Sequence, residues 1–583
     1  QEGVHARPDA LQRWDLGGES PNVADPCAAL QIHLDLTAGG ECEVYFVLGQ
    51  GKNEEATREL VNRWRQPDEA ARALDATRDY WNRQLGTTKV ETPDRGFDFM
   101  VNRWLPYQAL ASRIMARAGF YQAGGAFGFR DQLQDVMMLF MSDPQRARGH
   151  ILACAARQFE EGDVMHWWHP PSDRGVRTRC SDDLLWLPYV TSRYVEATGD
   201  VGILEQEVPF LIAPPLADEE EDRYARFSAA PESHSLLEHC GRALEKGVTR
   251  GRHGLPLIGA GDWNDGMDRI GHRMKGESVW LAWFAIAAME GFAGLCARTG
   301  REEEVQRWTG EARRLASDVE QAAWDGAWYL RAFDDDGRPW GSSGNDECRI
   351  DVIAQAWSVM SCRAEDERAR QAVSSAVDAL MRDDDGIIRL LWPPFDLSPR
   401  DPGYIKAYPP GIRENGGQYT HGASWLGFAL AALGDGDKAL RVFDMLCPLG
   451  RTGSRQELDR YLVEPYVVAA DIAGAEPHVG RGGWTWYTGS AAWAWRLGTE
   501  AILGLSLDGG KLRLNPCLPR HWPGFKAEIA ANGARLSIRV ENPHGLSRGE
   551  LDVTVDGRSL DEALVPFPED NSTRDVVVKL RRG

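Results

Sequence analysis

The stretch Leu255-Pro256-Leu257-Ile258-Gly259-Ala260-Gly261-Asp262-Trp263-Asn264-Asp265-Gly266-Met267-Asp268-Arg269-Ile270-Gly271 runs into a long apolar segment over 277–299. A helix would stack Asp262, Asp265 and Asp268 on one face, but the glycines and Asn264 favour a loop. The segment after it has helical periodicity. A glycine-bracketed, carboxylate-rich loop feeding a helix is the unit to look for elsewhere. Carboxylates beside an indole suit a sugar: the ring stacks on the aromatic and a carboxylic acid protonates the glycosidic oxygen. The alternative is a solvated acidic turn.

Moving outward, the pattern recurs. Helical runs are expected over 97–117, 144–159, 181–198, 233–249, 277–299, 302–324, 350–362, 366–381, 419–433, 438–446 and 489–503. Long loops rich in Gly, Trp, Pro and charge alternate with short ones. That alternation predicts a mainly α fold, an (α/α)6 toroidal barrel over 95–505, with functional loops at one end. A solenoid is disfavoured because no fixed repeat is visible. Flanking β-sandwich elements are expected on both sides. Residues 28–50 alternate around Gly39-Gly40 and read as strand–turn–strand, the terminal part of a sandwich over 1–52. Residues 53–94 read as a helical linker, and 506–583 as a β-domain with strands near 511–514, 525–530, 534–540, 550–555 and 575–580. The opening residues lack Met and a signal pattern, and read like a chain cut from something longer.

Composition narrows the chemistry. A net charge of −21 disfavours nucleic acid and anionic membrane, and requires local cations for any anionic substrate. No run is expected to cross a membrane. The chain has 22 Trp, many in polar surroundings, which favours carbohydrate binding. Its 10 Cys form no C-x-x-C pair, consistent with a reduced cytoplasmic setting and no zinc ribbon.

Four further loops carry chemistry. Gly119–Asp135 places Gly124, Gly125 and Gly128 before Arg130-Asp131, with Gln134 one turn on. Asp163–Asp183 holds His166-Trp167-Trp168-His169; a metal on His166 and His169 lacks a third ligand of matching spacing. Lys406–His421 contains Arg413-Glu414-Asn415-Gly416-Gly417-Gln418-Tyr419-Thr420-His421. Glu464–Ser490 ends in Trp484-Thr485-Trp486-Tyr487-Thr488-Gly489-Ser490, a helix N-terminus suited to an anion.

These five loops, in this order, resemble glycoside hydrolase family 94, the inverting β-glycoside phosphorylases. The resemblance is nearest to 1,2-β-oligoglucan phosphorylase and the C-terminal region of cyclic β-1,2-glucan synthases. It implies Asp265 as general acid and Trp263 as its neighbour in the substrate site. It implies Arg130 and Asp131 as the sugar grip, and His421, Thr488 and Gly489 as phosphate contacts. Gln134, Glu414 and Trp486 are expected as further substrate contacts. Inorganic phosphate would be co-substrate, with no cofactor and no metal, and a homodimer is what the family suggests. One departure stands out: where the disaccharide phosphorylases carry an Arg six residues before the Asp of the Arg-Asp pair, this chain has Gly125, so Lys406, Arg413 or Arg481 would have to supply the charge. The reaction implied is reversible inverting phosphorolysis of a β-linked gluco-oligosaccharide, β-1,2-glucan favoured, to α-glucose 1-phosphate. Asp265 would then be protonated at rest, its pKa raised by burial beside Trp263 and by Asp262 or Asp268. Three alternatives stand beside it: an inverting hydrolase with Glu414 as base, a processing or length-control module of a glucan synthase, and a non-catalytic carbohydrate-binding module.

Overall fold

The computed structural model describes residues 12–17, 29–117, 125–170, 172–217, 220–531 and 533–582, with the backbone of 3–4 and 7–8. The chain divides into two compact units, 1–82 and 83–583.

In the first unit, the helix Glu54–Trp64 is capped by Asn53, whose side chain accepts from Ala56 N at 2.9 Å, and Pro67–Leu85 forms a second helix. The expected strand–turn–strand does not form. Only its turn is present, with Gly40 N donating to Thr37 O at 2.9 Å. The alternating residues Leu30, Ile32, Leu34 and Leu36 stay 75, 49, 48 and 61% exposed. Alternation marks a face for burial, but a strand also needs a neighbour for its ladder, and none is described beside 29–50.

The second unit is built on six helices that pack in a closed order. Phe129–Val136 lies on Trp186–Thr198, which lies on Val279–Arg298, followed by Val352–Met360, Thr420–Ala432 and Ser490–Arg496; the last packs back on the first. Val279–Arg298, Val352–Met360 and Thr420–Ala432 are apolar around most of their circumference, as burial on all sides requires, whereas Phe129–Val136 buries Arg130, Gln132, Gln134 and Asp135. Val279–Arg298 is the extreme case. It is long and apolar enough to cross a membrane, which corrects the expectation that no run would be, and 83% of its apolar window is buried in this ring. Other helices pack outside the six: Pro144–Ala155, Leu236–Gly247, Glu302–Ala322, Asp366–Leu380 and Gly436–Leu446. These are one-faced. In Glu302–Ala322 only Trp308, Ala312, Leu315, Ala316 and Val319 are buried, a helical spacing under an acidic first turn.

Two sheet regions depart from expectation. The 163–179 segment, read as a loop, is a hairpin: Met165–His169 pairs with Arg174–Thr178 in a four-stranded sheet with Phe127–Gly128 and Asp222–Arg226. Consecutive Trp and His residues hid its alternation. At the C-terminal end, Thr88–Glu91, placed by the sequence in the helical linker, adds to a six-stranded sheet beside Gly524–Ala531. That sheet continues through Ala534–Glu541, Thr573–Arg581, Glu550–Val555 and Arg558–Leu560, with one parallel pair, Ala534–Glu541 with Thr573–Arg581.

Candidate active site

The loops that enter the six helices from their N-terminal ends carry nearly every polar residue singled out above. Asp262–Asp268 precedes Val279–Arg298, Asp182 and Asp183 precede Trp186–Thr198, and Thr488 and Gly489 precede Ser490–Arg496. Arg130 and His421 each sit second in their helix. Ring packing therefore gathers residues far apart in sequence at one end, where unpaired helix N–H groups favour anions.

The loop around Asp265 is held from below. Asp262, fully buried, accepts from Arg331 Nη1 at 2.7 Å and Nη2 at 2.6 Å, and from Ser278 Oγ at 2.6 Å. Arg331 also donates to Asn264 Oδ1 at 3.0 Å. Met267 and Ile270 are buried with Ile258, Trp340, Phe395 and Ile405. Gly261 has φ +115°, a conformation other residues rarely adopt, and a Cβ on Gly266 would meet the Ile405 backbone at 3.0 Å. Asp265 opens a short 3-10 turn, Asp265–Met267, with its side chain 39% exposed. The carboxylates expected to act on this acid are engaged elsewhere. Asp265 is open, Asp262 is neutralised by Arg331, and Asp268 accepts from Tyr404 N at 2.9 Å.

Arg130 and Asp131 take different protein partners. Arg130, buried, donates from Nη2 to Asp265 Oδ1 at 2.7 Å and from Nη1 to Asp182 Oδ1 at 2.6 Å and Asp262 O at 3.0 Å. Burial works against its charge, but Asp182 and Asp265 hold it firmly protonated. Asp131 faces the opening, 41% exposed, 3.1 Å from Arg113 Nη2. His166 completes the surround: its Nδ1 lies 2.6 Å from Asp183 Oδ2 and its Nε2 3.9 Å from Asp265 Oδ2. His166, Cys180 and Asp265 come within 4.8 Å of one another, a group that does not include His169. His169 packs instead near the Trp167 ring, 5.2 Å between centroids.

A second corner forms around His421. Gln134 Oε1 lies 2.9 Å from His421 Nε2 and accepts from Trp493 Nε1 at 3.1 Å. An oxygen that already accepts from an indole assigns the imidazole proton to Nε2 and leaves Nδ1 as an acceptor. Burial drives the His421 pKa down to about 3, so the ring is neutral. Gly489 brings its backbone against this ring: a Cβ there would lie 3.4 Å from Nδ1 and 3.3 Å from Asp135 Oδ1. The Thr488 hydroxyl is 2.8 Å from Ser490 Oγ. Gly125 is buried and brings no charge. Of the expected substitutes, Lys406 donates to Ser398 O at 2.6 Å, Arg413 lies over the Tyr408 ring at 5.2 Å, and Arg481 is exposed. A buried cation on this side is Arg113, bonded to Asp135 at 2.8 Å, 3.1 Å from Asp131 and stacked on Tyr487 at 4.4 Å. Its Nη2 is buried and makes no hydrogen bond among the described residues.

Trp263 is 6% exposed and ringed by Tyr419, His421 and Trp425 at 5.4, 5.2 and 4.8 Å, so its face is no open platform for a sugar; it packs the imidazole. Glu414 is 7% exposed and accepts from Asn264 Nδ2 at 3.3 Å. Burial, then the charge of Asp265, raises its pKa to about 7. Trp486 belongs to a different aromatic group. It has φ +65°, donates from Nε1 to Glu464 at 2.9 Å, and neighbours Tyr107 and Tyr466. Residues 119–124 of the glycine-rich loop lie outside the described residues.

Sequence reasoning missed Arg113 and Arg331. A clue to Arg331 was present: a lone Arg within Tyr329-Leu330-Arg331-Ala332-Phe333 must bury its charge and so needs a buried carboxylate.

Comparison with known proteins bears on this site. The model described as glycosyl hydrolase 94 superfamily, catalytic domain, matches residues 80–504, and the glycosyl hydrolase 94 supersandwich domain matches 1–67. The glycosyl hydrolase family 65 C-terminal domain matches 505–561. The chain is 46% identical to cyclic beta-(1,2)-glucan synthase NdvB of Rhizobium meliloti over 93% of its own length, spanning 19% of that protein. It is 29% identical to 3-O-beta-D-glucopyranosyl-beta-D-glucuronide phosphorylase of Paenibacillus borealis, covering 97% of this chain and 71% of that one. It is 22% identical to 1,2-beta-oligoglucan phosphorylase of Listeria innocua, covering 75% and 42%.

Proposed function

The chain belongs to the glycosyl hydrolase 94 superfamily, and from that premise we propose that it catalyses reversible, inverting phosphorolysis of a β-linked gluco-oligosaccharide to α-glucose 1-phosphate and a shortened glucan. The observation that carries this is the corner where the His421 ring, the Thr488 hydroxyl and the Gly489 backbone come together, a set of groups suited to an anion. Asp265 is exposed to the opening, whereas Glu414 is buried with its pKa at about 7. An inverting hydrolase needs an ionised base to activate water. Glu414, buried with its pKa at about 7, is poised for such a role, so dependence on phosphate is what separates the two readings. Phosphate needs no base, because it arrives as an anion.

The geometry supports the following course. Phosphate sits against His421, the Thr488 hydroxyl and the Gly489 backbone, with Arg113 supplying the charge that position 125 lacks. The acceptor Nδ1 of His421 takes the O–H of a protonated phosphate, and Arg113, paired with Asp135 and 3.1 Å from Asp131, adds positive charge on this side. The phosphate oxygen attacks the anomeric carbon from the side opposite Asp265, which gives its proton to the departing sugar oxygen. Arg130 then pairs with the carboxylate. Attack from the opposite face turns a β-linkage into an α-phosphate. The closed order of six helices with partners outside supports reading this region as an (α/α)6 toroid. β-1,2-Glucan is the favoured substrate, supported by the 46% identity to the synthase. That identity also favours a second reading, in which the same chemistry trims or sets the length of a β-1,2-glucan.

The test is incubation with β-1,2-gluco-oligosaccharides with and without inorganic phosphate. Phosphate-dependent release of α-glucose 1-phosphate is expected; sugar release that is indifferent to phosphate would reject phosphorolysis.

A further inference from the structure

The pair formed by Arg130 and Asp265 raises a problem for an acid catalyst. Arg130 Nη2 donates to Oδ1 at 2.7 Å, so Oδ1 cannot hold the transferable proton. That proton must sit on Oδ2. The oxygen Oδ2 faces His166, whose Nε2 is 3.9 Å away, a gap that a small side-chain rotation or one water closes. The other ring nitrogen is fixed, with Nδ1 2.6 Å from the carboxylate of Asp183, itself 2% exposed.

We propose that His166 and Asp183 form a proton relay to Asp265, in which His166 Nε2–H recharges Oδ2 each time the carboxyl gives its proton to the leaving sugar. His166 is thus a positioning residue acting through Asp265, and the inference rests on the leaving-group protonation proposed above. The balance is simple. Asp265 Oδ2–H breaks as the sugar O–H forms; His166 Nε2–H then breaks as Oδ2–H re-forms, and the imidazole regains through solvent the proton that the phosphate releases on becoming the sugar phosphate dianion. In the synthetic direction each transfer reverses.

The surroundings suit this role. The charged and titratable groups around His166 are Asp183 on Nδ1, Asp265 on Nε2, the Arg130 guanidinium, Asp131 and the Cys180 thiol. Burial disfavours the imidazolium, and Arg130 does too. Asp183 and Asp265 outweigh both and raise the pKa to about 9. The proton is therefore present at neutral pH and has a carboxylate behind it. His166 lies at a bulge of the strand Met165–His169, where the register shifts between Met165 and Trp167, and its ring is oriented by the bond to Asp183.

The experiment compares His166→Ala and Asp183→Asn with the unmodified protein on two donors: a β-gluco-oligosaccharide, whose alkoxide must be protonated, and an aryl β-glycoside of the same glucosyl unit, whose phenolate need not be. H166A is expected to lose about 10²-fold in kcat on the oligosaccharide and only a few-fold on the aryl glycoside, with partial recovery in added imidazole. D183N is expected to keep activity at low pH and to lose it at lower pH than the unmodified protein on the alkaline side, because the imidazolium then deprotonates earlier. Equal losses on both donors, no effect of imidazole and an unmoved alkaline limb would overturn the relay. Phosphate dependence of the unmodified protein is measured first. If it fails, phosphorolysis is wrong, yet the leaving-group comparison still reports the relay, since hydrolysis needs the same proton.

Discussion

Arg331→Met is the sharpest probe of how this site is held together. Arg331 is fully buried and holds Asp262 through two hydrogen bonds, Asn264 through a third, and Asp351 at 3.6 Å. Removing one partner of a buried ion pair costs about 3–5 kcal/mol, because the other charge is left uncompensated. Here two carboxylates, Asp262 and Asp351, are left without the cation they share, so the upper end of that range is expected. In the unmodified protein, burial opposes the charge of Asp262, but Arg331 prevails and holds its pKa below the usual value. Its contribution is therefore lost as pH falls. In R331M both carboxylates are driven up, so the penalty shrinks as pH falls and neutralises them. Denaturation midpoints at ~pH 8 and ~pH 5 should converge between the variant and the unmodified protein at the lower pH. The double variant Asp262→Asn with R331M should recover part of the loss, giving a coupling of about 1–3 kcal/mol. Turnover should fall further than stability explains, because Asn264 and Asp265 lose their anchor. A loss below about 1 kcal/mol, or no pH convergence, would refute the picture of a charge-clamped loop.

Other outcomes follow from the same geometry. Asp265→Asn should lower phosphorolysis of oligosaccharides by about 10²–10⁴-fold while leaving glucan binding intact, measured by turnover and calorimetry. Glu414→Gln mimics the neutral carboxyl, so it should match the unmodified protein below about pH 7 and lack the change in rate that ionisation of Glu414 brings above it; a pH–rate profile decides. Arg113→Gln should raise the KM for phosphate about tenfold or more with little change in the KM for glucan, reflecting loss of a charge-assisted hydrogen bond.

Much of this architecture was legible in the residues. The helix pattern over 144–503 reproduces the observed helices to within a few residues, except for the short Arg455–Tyr461, because apolar periodicity and loop glycines act locally. The C-terminal strands were legible for the same reason. Thr88–Glu91 was not, since a four-residue strand is defined by the sheet it joins, here residues 526–529 far along the chain. Residues 29–50 alternate yet have no ladder partner among the described residues, although the segment matches the glycosyl hydrolase 94 supersandwich domain.

The site divides along the same line. By itself the sequence determined that Gly261–Gly271 is a carboxylate-bearing loop before an apolar helix, and that Asp265 stands among glycines and an indole. Backbone freedom and local polarity are written in adjacent residues. Only the tertiary structure decided that Asp262 faces Arg331, that Arg130 faces Asp265 and Asp182, that Trp263 packs His421, and that Arg113 is buried between Asp135 and Asp131. Those assignments depend on which side chains six converging helix ends bring within about 3 Å of each other, where burial makes each pairing strong and each omission costly.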